Sequence, residues 1–367
     1  LRFDIAIMGA GMAGASLAAA VAARGASVLV AEAEDAPGYH ATGRSAAFWT
    51  ESYGGPGVQP LTTASGPILR ELGVLRARGA LTIAPAGAEA GLDAFVARFA
   101  ALGVRVERVG RAGLEARVPG IRPGWTAGAL EPDCCDIDVA ALHQHYLSAA
   151  RRAAAAVRCR AGLVAAERSG GWWRLELADG GQVQARVLAN AAGAWADHVA
   201  EIAGARPLGI TPLRRTVAQV RVEPAAGADL PLVLDLGERF YFKPEAGRLW
   251  LSPHDETPSL PCDAAPEEID VALAIERLGD AVAWRVAAVE RKWAGLRSFA
   301  PDRLPVYGWD PQTAGLFWFA GQGGFGIQTA PAAAELAARL LAGEPAGAVD
   351  PGAYGLTPER LSNWGAD

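Results

Sequence analysis

Three glycines and one acid near the start of the chain have the types and spacing to hold a dinucleotide. Gly9, Gly11 and Gly14 give G-x-G-x-x-G, and Glu32 follows them. Gly9 permits a tight turn, Gly11 lets backbone approach a pyrophosphate, and Gly14 allows a helix to pack close to a strand. The amides at the start of that helix, around Met12 and Ala13, are free to meet phosphate. The Glu32 carboxylate can accept from ribose hydroxyls. Near the other end, Gly321, Gly323, Gly324 and Gly326 form a backbone-rich turn before Ile327. A helix starting there carries partial positive charge and free N–H donors, which suit a developing anion.

The elements around the first motif support the dinucleotide reading. Ile5–Met8 is a short apolar strand, Ala15–Ala23 an Ala-rich helix closed by Gly25, and Ser27–Ala31 a second strand. At 367 residues the chain is long enough for two domains. Its net charge of −6, with no run of Lys and Arg, argues against a nucleic-acid surface. Cys134, Cys135, Cys159 and Cys262 show no C-x-x-C spacing and adjacent cysteines pair poorly, so a reducing, cytoplasmic setting is expected. The chain opens at Leu1, reads as a trimmed start and enters a strand without a charged leader, so no secretory signal is expected. Gly, Pro or charges interrupt every Ala-rich segment, so no membrane span is expected.

Further along, helices are expected over 60–75, 92–102, around Glu115–Val118 and up to about Ala154, with a strand at Ala80–Pro85. Asp136 or Asp138 is the expected N-cap of the helix ending near Ala154. Asp133, Asp136 and Asp138 lack the Gly pivot and terminal Glu of an EF-hand loop, so they read as capping and surface acids. His143 and His145 are two apart on a helix and face different ways, so no metal is expected. Gly170-Gly171 and Asp179-Gly180-Gly181 punctuate a meander that leads into Val187–Asn190. From Ile210 the pattern becomes period two, with a hairpin around Glu245–Gly247. There Tyr241 and Lys243 share one face, opposite Phe240 and Phe242, and Lys243 reads as a surface strand lysine. Leu316–Ala320 is a buried strand, and a helix is expected over Ile327–Leu341.

GYHATGRSAA at 38–47, NAAGAW at 190–195, KWAGLRSFAPDRLPVYG at 292–308 and LFWFAGQGGFGIQTAPAAAELAARLLAG at 316–343 together resemble the FAD-dependent D-amino-acid oxidase superfamily. That superfamily includes glycine oxidase and sarcosine oxidase, and the stretch at 38–47 is most similar to bacterial FAD-dependent D-arginine dehydrogenases. The resemblance covers nearly the whole chain. It implies an α/β fold with a Rossmann-type, glutathione-reductase-like FAD-binding domain over 1–75, 136–210 and 300–367. An α+β substrate domain on an antiparallel sheet would occupy 76–135 and 211–299. By the same resemblance Thr42, Gly43, Arg44, Ser45, Ala46, Val164, Ala192, Gly193 and Trp195 join the two glycine motifs in contacting FAD. His40 loosely echoes a covalent tether seen in some amine dehydrogenases; the more similar enzymes hold FAD without a covalent bond, which is expected here.

The implied reaction is oxidation of a free D-amino acid at its Cα–N bond, by hydride transfer to flavin N5, giving an imino acid that hydrolyses to a 2-oxo acid. Oxygen, a quinone or another acceptor would take the electrons. A secondary or N-methyl amino acid, or a 2-hydroxy acid, is the alternative substrate on the same fold. Arg297 is the implied carboxylate clamp, its guanidinium fork matching a carboxylate, with Arg215 as a second Arg and Tyr53 and Tyr241 as phenols closing over the substrate. Phe48, Trp49, Ala80, Gly324 and Gln328 would line the substrate pocket. Two departures bear on specificity. Phe48 stands where the D-arginine enzymes carry His, and no acid stands at Ala80–Ile83, where their guanidinium partner lies. A buried guanidinium without a partner costs several kcal/mol. A more apolar substrate than D-arginine is therefore expected.

Overall fold

The computed structural model describes residues 1–345 and 347–364, so residues 346 and 365–367 of the expected 300–367 span lie outside the described residues. Its first β-α-β unit sets the frame. Strand Arg2–Met8 pairs in parallel with Val28–Ala31 on one side and Gln182–Asn190 on the other. Burial on both faces explains why these strands read as continuous apolar runs rather than alternating ones. The intervening helix spans Met12–Ala22, three residues earlier than expected, because extended Gly11 is its N-cap. Gly9 turns the chain at φ +98°, and a Cβ on Gly14 would lie 1.8 Å from the Gly9 carbonyl oxygen. Only glycine lets this helix sit so close to the turn that feeds it.

Around this unit lies an eight-stranded sheet among the described residues. The meander Leu163–Ser169, Trp172–Leu177 and Gln182–Asn190 continues it on one side. Leu316–Ala320 joins Gln182–Asn190 in parallel, and Ala156–Arg158 pairs with Val28–Ala31. Helices Met12–Ala22, Val139–Arg152 and Ala330–Ala342 cover one face with Ala and Leu side chains in a common core.

The second large sheet has ten strands among the described residues. Its spine is the long antiparallel pair Thr211–Glu223 and Arg285–Phe299, in which Leu213 opposes Arg297 and Arg215 opposes Gly295. The sheet is not wholly antiparallel as expected: Leu232–Asp235 runs parallel to Ala80–Pro85. Phe240, Phe242, Leu249 and Leu251 pack under helix Glu268–Ala281, while Tyr241 points to the opposite face.

Three local expectations are corrected. Asp138 caps helix Val139–Arg152 by accepting from Ala141 N, but Asp136 is no surface acid. It is 6% exposed and accepts from Lys243 Nζ at 2.9 Å, with Arg78 Nη2 at 2.7 Å. Lys243 is correspondingly no surface lysine; it is buried between Asp136 and Glu245, over the Trp250 ring. The sheet register brings these opposite charges together, so each makes the burial of the other tolerable. The C-terminal helix starts at Ala330, not Ile327. Pro331 fits the first turn, but as the fifth residue of a helix starting at Ile327 it would leave an N–H bond to the Ile327 carbonyl unmade. No helix among the described residues is long and apolar enough to cross a membrane.

Candidate active site

A continuous cavity of about 500 Å³ runs between the two sheets. One part is walled by Gly9, Gly11, Met12, Ala13 and Glu32 from the first unit, with Ala192, Gly193 and Trp195 from the NAAGAW turn. Glu32 Oε2 accepts from Ala10 N at 2.7 Å and Oε1 from Glu34 N at 3.0 Å, which fixes the carboxylate while leaving lone pairs on both oxygens. Thr42 Oγ1 accepts from Met12 N at 2.9 Å, standing in as a cap for a helix whose own N-cap has no side chain. Buried Asn190 donates to Ala196 O at 2.7 Å and so holds the NAAGAW turn against the sheet. His40 lies beside Trp195, ring centroids 4.6 Å apart, and its Nε2 is 2.7 Å from Glu34 Oε1.

Arg44, Ser45 and Ala46 carry the wall onward. The Arg44 guanidinium turns toward the segment 253–266, pairing with Asp263 and donating to Ala264 O at 2.9 Å and Ala294 O at 3.2 Å. Gly323, Gly324, Gly326, Ile327 and Gln328 form the wall opposite. Ile327 and Gln328 belong to the turn before the helix rather than to its first turn. Gln328 is 3% exposed and ties this turn to the substrate side, donating to Thr62 Oγ1 at 2.9 Å and to Tyr53 O at 3.2 Å.

At the other end of the cavity stand Arg215, Arg297, Tyr53, Tyr241 and Phe48. Arg297 Nη2 donates to Tyr53 Oη at 3.0 Å. Tyr53 and Tyr241 both meet Phe48 edge-on, at 5.2 and 6.0 Å between centroids. Burial, and then the charge of Arg215, push the Arg297 guanidinium below its usual pKa. Burial acts the same way on Arg215, but Tyr53, Tyr241, Asp255 and Glu256 around it outweigh this and raise its pKa. Both arginines remain cations at any physiological pH. Burial raises the Tyr241 phenol, so it enters as a hydrogen-bond donor.

The profile of the family described as FAD dependent oxidoreductase, DAO, matches residues 4–340. This chain belongs to that family. Among curated FAD-dependent relatives, "FAD-dependent oxidoreductase domain-containing protein 1" of Xenopus laevis is 28% identical over 175 residues, 43% of this chain and 35% of that protein. The chain thus matches about a third of the length of that relative. Among solved structures of this fold, glycine oxidase from Geobacillus kaustophilus superposes with TM-score 0.85 at 23% identity, covering 97% of this chain and 99% of that one. Iminodiacetate oxidase from Chelativorans sp. BNC1 superposes with TM-score 0.80 at 24% identity, over 96% and 98%.

The residues present fit the FAD of this family. Glu32 stands among its walls, and Gly9 and Gly11 bring backbone to the wall where a side chain has no room. A Cβ on Gly9 would lie 2.6 Å from Ala191 O, and one on Gly11 would crowd Thr42 Oγ1 at 3.2 Å. Several residues expected at the FAD or substrate do not reach the cavity wall. Gly14 and Gly43 act behind it, Gly43 N donating to Gly38 O, and Gly321 packs against Ala300. Val164 is the extra residue of a bulge between Leu163 and Ala165, is 58% exposed, and yields its expected place to Gly162 and Leu163. Trp49 faces away from the cavity, donating to Thr62 O and lying under the Arg70 guanidinium. Ala80 is buried behind Phe48 and Tyr241.

Three residues escaped the sequence reading. Glu131 sits across the strand pair from Ala80, so a carboxylate does lie near the place that looked empty. It is already committed, accepting from Glu51 N at 2.6 Å, Thr50 Oγ1 at 2.7 Å and Ser52 Oγ at 2.5 Å, which anchors the loop leading to Tyr53. His254 meets Tyr53 and Tyr241 edge-on, and burial together with Arg215 and Arg297 lowers its pKa to about 2. It is therefore a neutral ring beside the clamp. Glu256 Oε1 lies 3.1 Å from Arg297 Nη1 and 3.4 Å from Arg215 Nη2. A lone acid in a Pro-rich loop carries no periodic signal, and only the fold brings it to the arginines.

Proposed function

We propose that this family member oxidises a free amino acid at its Cα–N bond, with a D-amino acid of apolar side chain as the favoured substrate and non-covalently held FAD. The observation that carries the reading is the paired guanidinium site of Arg297 and Arg215 at one end of the cavity, already gripping a carboxylate. FAD supplies the hydride acceptor when bound. The remaining work belongs to the side chains. Arg297 and Arg215 hold the substrate carboxylate, and Tyr53 and Tyr241 direct their hydroxyls into the same site. This fixes Cα relative to the turn at Gly324 and Gln328, the positional contribution on which such a reaction depends. Phe48 and Tyr241, backed by buried Ala80, Leu232 and Cys134, present the apolar wall against which the substrate side chain would rest, and Glu131 is already engaged by the loop at 50–52. His254 is neutral and the Tyr241 phenol is raised, so neither is poised as a base near pH 7, and the amine would bind neutral or lose its proton on binding.

The test is anaerobic mixing of the FAD-loaded protein with D- and L-amino acids, N-methyl glycine and 2-hydroxy acids, following flavin absorbance at about 450 nm. Bleaching by apolar D-amino acids, with D-arginine silent, is expected. Bleaching by D-arginine overturns the specificity, and bleaching by 2-hydroxy acids alone overturns the amine assignment. Reoxidation by oxygen or by a soluble quinone then identifies the acceptor.

A further inference from the structure

The carboxylate on the clamp comes from the chain itself. Glu256 shares Oε1 among Arg297 Nη1 at 3.1 Å, Arg215 Nη2 at 3.4 Å and Arg303 Nη2 at 2.8 Å, and its Oε2 lies 2.9 Å from Arg303 Nη2. Arg297 has little room to take a second anion beside it. Its guanidinium lies over Gly324, where a Cβ would meet Nη2 at 1.7 Å. The rings of Tyr53, Phe299 and Phe325 surround it at 5.8, 5.2 and 5.6 Å, and Nη2 gives one of its two N–H groups to Tyr53 Oη. Glu256 holds Nη1, so a carboxylate that grips Nη1 and Nη2 together competes with it.

Arg303 gives the displaced carboxylate somewhere to go. Its side chain is 52% exposed, stacks on Phe299 at 4.0 Å and contacts both Glu256 oxygens. Withdrawal from Arg297 and Arg215 therefore keeps one ion pair intact. Because one carboxylate leaves as another arrives, buried Arg297 is never left without a counterion, the state that costs most, while Arg215 keeps Asp255 at 3.8 Å throughout.

Resting on the carboxylate-clamp reading above, we propose that Glu256 is a specificity-determining residue that fills the Arg297–Arg215 site in the substrate-free enzyme and steps out to Arg303 when a substrate carboxylate binds. Every ligand of this site then competes with an internal carboxylate. The exchange favours ligands that offer a full bidentate anion over amides, esters and amines.

The test uses the FAD-loaded enzyme, titrated with benzoate and with acetate while the flavin spectrum is followed. Removing the internal competitor in E256Q is expected to tighten benzoate binding by about tenfold, equivalent to about 1.4 kcal/mol, with KM for the best amino acid falling in the same direction. E256D keeps the charge on a shorter arm and tightens binding less; it carries the test should E256Q not fold. R303Q removes the outer perch, so it weakens benzoate binding in the wild-type background and has no effect in the E256Q background. Weaker benzoate binding by E256Q overturns the proposal and makes Glu256 a fixed support for Arg297. Equal binding by wild type and E256Q overturns the exchange and leaves the clamp standing. If no monocarboxylate perturbs either loaded protein, the clamp reading falls, and the exchange with it.

Discussion

Arg297 is held so closely that its geometry and its charge are both part of its role. Three aromatic rings and the Gly324 backbone fix the plane of the guanidinium, so a lysine there would keep a cation and lose the fork. R297K is expected to lower kcat/KM for the best amino acid by about 100-fold, or roughly 3 kcal/mol, mostly through KM, while FAD content is unchanged. Steady-state kinetics with the absorbance ratio of flavin to protein checks both parts. Arg297 was legible because it stands in a stretch resembling the family, and the glycines were legible because backbone geometry dictates residue type at Gly9 and Gly14. Glu256 and Glu131 were not. Their partners lie 41 and 81 residues away in sequence, across loop and sheet contacts that leave no local pattern.

Strand periodicity carried more information than was drawn from it. Tyr241 and Lys243 were placed on one face, and that face is buried, which already contradicts a surface lysine. What the sequence did not show was the partner, because Asp136 reaches Lys243 from a strand 107 residues away. Strands bounded by glycine turns, such as Trp172–Leu177, are legible to the residue, whereas the start of the helix after Gly326 is set by Pro331, which the apolar pattern does not reveal. The Asp136–Lys243 pair predicts a pH effect. Burial raises the Asp136 pKa, but Lys243 and Arg78 outweigh it and hold the carboxyl below its ordinary value. A carboxyl depressed in the folded state stabilises above its unfolded pKa of about 3.9, and that contribution is lost as pH falls through the folded value. D136N leaves Lys243 without its main partner and is expected to cost about 3–5 kcal/mol at pH 7 by urea unfolding. The gap between variant and wild type should narrow only below about pH 4.

At the scale of the whole molecule, the cavity draws its walls from both large sheets, so an FAD filling it would touch both. Binding to the folded state alone raises the unfolding midpoint by mass action. Scanning calorimetry is expected to show one transition that moves upward with added FAD, rather than two of which only one responds. The chain is acidic overall, yet Arg215, Arg297 and Arg303 gather at one end of the cavity, making a local cationic site inside a net anion.

The segment 253–266 connects the two ends of that cavity. Glu256 fastens it to the arginines, Asp263 fastens it to Arg44 and Tyr39, and Cys262 and Ala264 form part of the wall between. Both fastenings are ion pairs, Glu256 with the arginines and Asp263 with Arg44, so added salt is expected to loosen the segment, which limited proteolysis at low and high ionic strength checks. A single nick between Glu256 and Asp263 would leave each end fastened and uncouple the two, without altering one residue of the glycine motifs.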